Sequence, residues 1–155
     1  MKYSFLQVDL SKQEHCLQLI RLLDAYMQDE MGNSAPMEAD LAPKIISGLK
    51  KHPGYLGFFA LVDGRFAALA NCNKNFSTFN AKPLINIHDL IVFPDLRGKG
   101  VGRFLLDCIA EYGAENGYCR VNLEVRHDNL NAQKLYLKAG YSECHQPMYF
   151  WERQL

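Results

Sequence analysis

The chain has 155 residues, enough for one domain with a substantial hydrophobic core, and its 17 basic and 17 acidic residues balance. This balance gives no indication of a nucleic-acid partner or an anionic membrane surface. The five cysteines are scattered without Cys-x-x-Cys spacing, and no apolar run is long enough for a signal peptide or a membrane span. We therefore expect one cytoplasmic domain over residues 1–155, without a disulfide framework or a metal site.

The N-terminal part predicts a strand, two helices and a hairpin. Residues Tyr3 to Val8 alternate weakly between apolar and polar, as strand residues do. The run Ser11-Lys-Gln-Glu14 has the form of a capping box, which predicts a first helix that ends by Gly32, and a second helix follows. Asp63-Gly64 lies between two apolar runs and predicts a hairpin, because a type I′ turn needs positive φ at both central residues.

The segment from Lys74 to Lys82 predicts a connection to the next strand and carries two aromatic residues, Phe76 and Phe79. Aromatic side chains beside a strand end most often anchor the core or a loop. In a loop next to a functional site they can also form a wall for a substrate. Both alternatives stay open at this stage.

Residues 84–102 form the most informative stretch of the sequence. They predict a mostly apolar strand, a turn at Pro94, a glycine-rich loop and a helix that begins near Val101. Gly98, Gly100 and Gly102 can turn backbone N–H groups toward one point, and the following helix adds unpaired N–H groups and the positive end of its dipole. The stretch therefore predicts a phosphate site. Its spacing fits neither the P-loop nor the dinucleotide fingerprint.

The rest of the chain predicts a parallel crossover followed by closing elements of a sheet. In chain order these are a helix from Val101 to near Gly117, a strand from Cys119 to Val125, a helix capped near Asp128 or Asn129 and ending at Gly140, and strands around Tyr141 to Cys144 and Met148 to Glu152. The expected fold is a mixed α/β sheet in the order βααβββαβαββ.

Two motifs in this order resemble a known family. Arg97, Gly100 and Gly102 resemble the acyl-CoA signature Gln/Arg-x-x-Gly-x-Gly/Ala of the GCN5-related N-acetyltransferase (GNAT) superfamily. The run Asn-x-x-Ala-x-x-Leu-Tyr-x-x-x-Gly-Tyr from Asn129 to Tyr141 also looks like the family pattern, and the element order resembles the family fold from Tyr3 to Trp151. The resemblance implies acetyl-CoA as co-substrate and a primary amine as acceptor, with no metal.

The resemblance also implies which residues bind acetyl-CoA. Backbone N–H groups of the glycine loop would bind the pyrophosphate, with charge from Arg97 or Lys99. In the family, the central strand separates from its neighbour, pairs with the pantetheine arm and polarises the thioester oxygen. Asn129 can equally be explained as a helix cap. The implied cofactor residues are Leu90, Ile91, Val92, Arg97, Gly98, Lys99, Gly100, Val101, Gly102, Asn129 and Tyr136.

Four residues are candidates for proton transfer. His88 and Asp89 interrupt an otherwise apolar strand, and either could remove a proton from the amine. Strand alternation places them on opposite faces, so only one is expected to face the substrate. Polyamine-acetylating members of the family have Glu followed by Asp at these positions, and His88 departs from that pattern. Glu124 is a further base candidate acting through water, and Tyr136 is the candidate acid for the CoA thiolate. A structural histidine, a surface carboxylate and a core tyrosine are the alternatives.

The leading hypothesis is an N-acetyltransferase for a small-molecule amine, with Phe76, Phe79 and His88 as substrate contacts. Acetylation of a protein N-terminus or lysine, and a non-catalytic acyl-CoA-binding module, are the alternatives. A closed pocket lined by Phe76, Phe79 and acidic residues favours a small amine, whereas an open groove favours a protein.

The C-terminal aromatic residues Tyr149, Phe150 and Trp151 bear on the oligomeric state. Members of the family are often dimers, so these residues are expected to serve a homodimer interface. The alternative is that they are ordinary core residues of the last strand.

Overall fold

The computed structural model describes residues 1–155 and is built around a five-stranded sheet in the order β1-β2-β3-β4-β5. Its pairs are antiparallel except for the parallel pair of β4 and β5. The elements are β1 Tyr3–Gln7, α1 Gln13–Met27, α2 Leu41–Lys51, β2 Tyr55–Val62, β3 Arg65–Ser77, β4 Lys82–Val92, a short 3-10 helix Pro94–Leu96, α3 Val101–Glu115, β5 Val121–Leu123 and α4 Leu130–Lys138. The predicted mixed α/β fold is confirmed.

The two turns between the central strands differ in how well the sequence predicts them. Asp63 and Gly64 have φ values of 49° and 81°, so the predicted tight turn joins β2 to β3. Strand β3 is longer than expected, because it continues to Ser77 and pairs with the start of β4 at Lys82. The segment from Lys74 to Lys82 is therefore part of a second hairpin and not a simple connection.

Helices cover both faces of the sheet. Phe58 and Phe59 are neighbours on β2 and both are fully buried, but they point to opposite faces. Phe58 belongs to the cluster that includes Leu105 and Ile109 of α3. Phe59 packs with Leu19 and other leucines of α1. The sheet is thus the middle of three layers, and the helix pair α1 and α2 covers the face opposite α3.

At the starts of α1 and α4, the question is whether a side chain accepts a hydrogen bond from the free backbone N–H groups of the helix. The predicted capping box is wrong, because Lys12 is the N-cap residue of α1 and no side chain caps the helix. The Ser11 hydroxyl instead donates to the Asp9 carboxylate at 2.6 Å, which removes it from the helix start. At α4 the prediction holds, since Asn129 Oδ1 accepts the Ala132 N–H at 3.1 Å.

The two closing strands predicted after Gly140 are not formed. No backbone N–H beyond Tyr141 takes part in a backbone hydrogen bond outside the regular elements, and residues 142–155 form no strand. Strand β5 has only three residues and offers few positions to a further strand. The alternative that Tyr149, Phe150 and Trp151 are core residues is also wrong, because each is at least 72% exposed.

The crossover predicted between β4 and β5 is confirmed. The two strands are parallel, with Ile85 opposite Val121 and Ile87 opposite Leu123, and α3 connects them. None of the helices has the length and the apolar character needed to cross a membrane.

Candidate active site

The sheet opens between β4 and β5. Strand β5 pairs with β4 only from Ile85 to Ile87, whereas β4 continues to Val92 and pairs with β3 on its other side. Beyond Ile87, β4 therefore has no strand partner on the β5 side. Leu90, Ile91 and Val92, which the family resemblance implies as cofactor residues, border this opening.

A β-bulge lies at the start of the opening. The pairing of β3 with β4 passes from Asn71 opposite Asp89 directly to Cys72 opposite Ile87, so His88 is an extra residue without a partner. The bulge interrupts strand alternation. His88 and Asp89 consequently line the same cavity, which corrects the expectation that strand alternation places them on opposite faces.

The glycine loop forms a cradle of free N–H groups at the end of β4. No backbone N–H of residues 98–102 donates to a backbone carbonyl, and no side chain caps α3. Gly98 and Gly100 have φ values of 73° and 82°, which a residue with a side chain rarely adopts. The Tyr3 hydroxyl donates to the Lys99 carbonyl and fixes the loop from outside. This arrangement fits a phosphate-bearing ligand such as acetyl-CoA.

The two cationic side chains near the loop are in different situations. Arg97 donates through Nε to the Val92 carbonyl at 3.1 Å and pairs through Nη1 with Asp29 at 2.7 Å. The Met31 N–H and then Arg97 hold the pKa of Asp29 below its usual value. Lys99 forms no ion pair within the chain and is exposed. Lys99 is therefore the cation that is free for a phosphate, while Arg97 ties the α1–α2 loop to β4.

A cavity of about 310 Å³ lies on the α1 and α2 side of the bulge. One wall is polar and comes from the central strands, with Asn71, Asn73, His88 and Asp89. The opposite wall comes from the helices and is mostly apolar. Its side chains are Leu23 and Met27 of α1, Ile45 and Leu49 of α2, and the tyrosine Tyr26 of α1.

A chain of hydrogen bonds holds the carboxylate in this cavity. The Tyr55 hydroxyl donates to Asn71 Oδ1 at 3.0 Å, and Asn71 Nδ2 donates to Asp89 Oδ2 at 3.0 Å. Burial raises the pKa of Tyr55 far above its usual value, so Tyr55 remains a donor. Asn71 engages only the Oδ2 atom of Asp89. The Oδ1 atom accepts no hydrogen bond from the protein. We refer to Tyr55, Asn71 and Asp89 as the Asp89 relay.

Tyr136 lies on α4, and burial raises its pKa to about 12, with a smaller contribution from Tyr26. Tyr26 itself lines the cavity, and its pKa is raised first by burial and then by the Asp89 carboxylate. Tyr26 is therefore near both Tyr136 and the Asp89 carboxylate. The Tyr136 ring packs against the cluster on the α3 face of the sheet. Its phenol is protonated at neutral pH.

The other predicted site residues lie outside the cavity. Glu124 directly follows β5, is exposed and accepts a hydrogen bond from Asn86 Nδ2 at 3.2 Å. Phe76 and Phe79 are 64% and 100% exposed in the hairpin between β3 and β4. They do not line this cavity and are not part of the core. No group of three or more His, Cys, Asp or Glu side chains is arranged to hold a metal ion.

Three residues of the cavity, Tyr26, Tyr55 and Asn71, were not predicted from the sequence. Tyr26 continues the apolar stripe of α1, and Tyr55 begins an apolar strand, so both have the pattern of core residues. Asn71 did carry a usable signal. It is a polar residue at the end of a buried apolar run, the same kind of interruption that singled out His88 and Asp89 on β4.

Comparison with known proteins identifies related sequences and structures. Residues 18–141 match the sequence model of the acetyltransferase (GNAT) family. An uncharacterized N-acetyltransferase of Bacillus subtilis (strain 168) is 33% identical over 81 residues, which cover 52% of this chain and 54% of the relative. The streptothricin acetyltransferase of Streptomyces lavendulae is 34% identical over 82 residues, covering 53% of this chain and 41% of the relative.

A solved structure extends the likeness over the whole chain at the level of the fold. The aminoglycoside acetyltransferase from an uncultured soil metagenomic sample, in complex with sisomicin, superposes with a TM-score of 0.78 at 18% identity, over 99% of this chain and 97% of that one. The matched region spans 39% to 56% of the length of the curated relatives. The family match is wider, and it runs from α1 through the glycine loop and Tyr136 to Tyr141. The chain therefore belongs to the acetyltransferase (GNAT) family.

Proposed function

We propose that the chain is an acetyl-CoA-dependent N-acetyltransferase that acts on the primary amine of a small molecule. One observation carries the proposal: the free N–H groups of residues 98–102 and the cavity with His88 and Asp89 adjoin the same unpaired end of β4. A phosphate-bearing donor and an amine acceptor can thus approach one another from either side of this strand.

The donor side consists of the cradle and the opening in the sheet. The N–H groups of Gly98 to Gly102 and the ammonium of Lys99 would bind the pyrophosphate. The backbone of Leu90 to Val92 would pair with the pantetheine arm and polarise the thioester carbonyl. Acetyl-CoA supplies the acetyl group as an activated thioester. Asn129 would support the donor site indirectly, because its side-chain oxygen caps α4, the helix that carries Tyr136.

The acceptor side provides the proton transfers. Asp89 holds the incoming ammonium through its free oxygen, and His88 beside it removes a proton so that the nitrogen lone pair can attack. The C–N bond forms as the C–S bond breaks, and the nitrogen then releases its second proton to water, which leaves the neutral amide. Tyr136 gives its phenolic proton to the departing sulfur and is reprotonated from solvent. Glu124, acting through water, is the alternative base.

Substituting the two candidate bases separates their roles. We expect His88→Gln to lower kcat by about 100-fold, because the amide cannot accept the proton. Glu124→Gln is expected to change kcat little, since Glu124 is exposed and lies outside the cavity lining. Steady-state rates of both variants across pH provide the measurement. A large loss in Glu124→Gln with a small one in His88→Gln would reverse the assignment.

The function itself is tested by thiol release from acetyl-CoA with a panel of alkylamines, polyamines, amino acids, aminoglycosides and basic peptides. We expect turnover with a small amine and an increase in melting temperature on adding acetyl-CoA. Turnover confined to peptides would favour acetylation of proteins. A melting-temperature shift without turnover of any amine would favour a binding module. Neither shift nor turnover would contradict the role of the glycine loop.

A homodimer and a cytoplasmic location also stay predictions. The side chains of Met148, Tyr149, Phe150 and Trp151 are exposed together at the C-terminus, which supports an interface there. Four adjacent large apolar side chains are unusual on a surface that contacts only water.

A further inference from the structure

We propose that the acceptor carries a single basic nitrogen on an apolar body, such as a primary alkylamine, and is neither a polyamine nor an aminoglycoside. This inference rests on the proposed acetyltransferase function and names its substrate class. It follows from the charges, the hydrogen bonds and the shape of the cavity between α1, α2 and β4.

The cavity offers one anionic group. Asp89 is the only carboxylate among the residues that line it, and no lysine or arginine lines it. The Asp89 relay engages one carboxylate oxygen and leaves the other free. Asn71, in the middle of the relay, is only 7% exposed. Bulk water therefore does not compete for its amide, which keeps its hydrogen bond to Asp89. A carboxylate held in this way is preorganised for one ammonium group.

Glycine at position 57 is part of this arrangement. A Cβ added to Gly57 would overlap the Tyr55 hydroxyl two residues away on the same face of β2. The absence of a side chain therefore leaves the space in which Tyr55 reaches Asn71. The strand is built so that the relay can form.

The neighbouring carboxylates are already engaged or lie elsewhere. Asp29 pairs with Arg97 at 2.7 Å. Asp24 accepts the Met37 N–H at 2.7 Å, and Glu124 does not line the cavity. A second ammonium in the cavity would have no anionic partner, and burial of an unpaired charge is strongly unfavourable. Diamines and polycations are therefore poor acceptors.

The opposite wall favours a hydrocarbon body. Leu23, Met27, Ile45 and Leu49 face the polar strands across the cavity. Apolar groups of a ligand gain free energy when they pack against such side chains, whereas hydroxyl or ammonium groups placed there lose their hydration without a partner. The volume of about 310 Å³ is near the lower end of the range of ligand pockets, about 300–1,000 Å³. A three-ring aminoglycoside carries several ammonium and hydroxyl groups, so it fits neither the apolar helix wall nor the single carboxylate of the cavity.

A matched pair of amines tests the charge argument. Hexylamine and 1,5-diaminopentane have equally long chains and differ in a terminal methyl or ammonium group. With saturating acetyl-CoA, we expect kcat/KM for hexylamine to exceed that for the diamine by at least about tenfold. Sisomicin is expected to be a still poorer acceptor. Equal or better turnover of 1,5-diaminopentane or sisomicin would overturn the inference.

A charge-adding variant tests it in the other direction. Asn73 lines the cavity, and Asn73→Asp would add a second carboxylate of nearly the same shape while keeping the oxygen that meets His52 Nε2 at 3.0 Å. We expect this variant to reduce the preference for hexylamine by about tenfold. Asn75→Asp is the matched control, because Asn75 lies on the same strand but outside the cavity, and it should leave the preference unchanged.

The outcomes separate this inference from the function on which it rests. An unchanged preference in Asn73→Asp would contradict the charge argument even if hexylamine is the better acceptor. Turnover that favours diamines, aminoglycosides or basic peptides would overturn the substrate class and leave the acetyltransferase function standing. No thiol release with any amine would contradict the proposed function itself.

Discussion

Replacing Tyr136 by phenylalanine is expected to lower kcat by about 100- to 10,000-fold and to leave the affinity for acetyl-CoA nearly unchanged. The variant loses only one oxygen atom and keeps the ring that packs from α4 against the core, so the fold has little reason to change. What disappears is the proton donor for the departing thiolate. Single-turnover rates and acetyl-CoA titrations measure the two quantities separately.

The same substitution at Tyr141 is a close control. The rings of Tyr136 and Tyr141 are 6.1 Å apart, and the Tyr141 hydroxyl is buried without a hydrogen-bond partner. Tyr141→Phe removes an unsatisfied polar group, so it should leave kcat unchanged and stabilise the protein slightly. Equal kcat in Tyr136→Phe and the wild type would remove Tyr136 as the acid.

The raised pKa of Tyr136 also predicts the shape of the pH profile. The acid must be protonated to act, and burial raises its pKa to about 12 from the usual value of 10. The rate should therefore not fall on the alkaline side because of Tyr136 below about pH 11. The raised pKa makes the phenol a weaker acid, but the same burial also disfavours the charged thiolate and raises the pKa of the departing thiol.

Features that depend on neighbouring residues were predictable from the sequence. The positive φ values at Asp63 and Gly64, the cap at Asn129 and the free N–H groups of the glycine loop each follow from a few consecutive residues. Long periodic segments such as α1 and α3 were also predictable, because one apolar face is visible in their spacing.

Features that depend on distant partners were not predictable. The bulge at His88 is a change in the register between β3 and β4. The register depends on how the two strands pair, and no residue near His88 indicates the change in the sequence. The Asp89 relay joins residues of three strands, and the relevant rotamers follow from the packing of those strands. The prediction of closing strands was wrong for a related reason. The β propensity of Met148 to Glu152 favours a strand, but a strand also needs a sheet edge with which to pair.

Gly32 controls the other wall of the cavity, and Gly32→Ala is expected to reduce stability by about 3 kcal/mol. The loop after α1 folds back over the end of the helix, with the Asp29 N–H bonded to the Tyr26 carbonyl at 3.0 Å and the Asn33 N–H bonded to the Met27 carbonyl at 2.9 Å. A Cβ at Gly32 would overlap the Tyr26 carbonyl oxygen and lie 3.0 Å from its carbon. These are backbone atoms, so no side-chain rotation can relieve the overlap.

The displaced loop should also weaken acceptor binding, because Tyr26, Met27 and Asn33 line the cavity. We expect a melting temperature lower by about 6–12 °C and a larger increase in KM for the amine than for acetyl-CoA. Gly48→Ala is the control. A Cβ at Gly48 meets no atom within 4 Å, and the site lies inside α2, so alanine there should stabilise the protein by about 0.5–1 kcal/mol. If Gly32→Ala were as stable as Gly48→Ala, the loop would not pack against α1 as described, and the apolar wall opposite Asp89 would have to be placed differently.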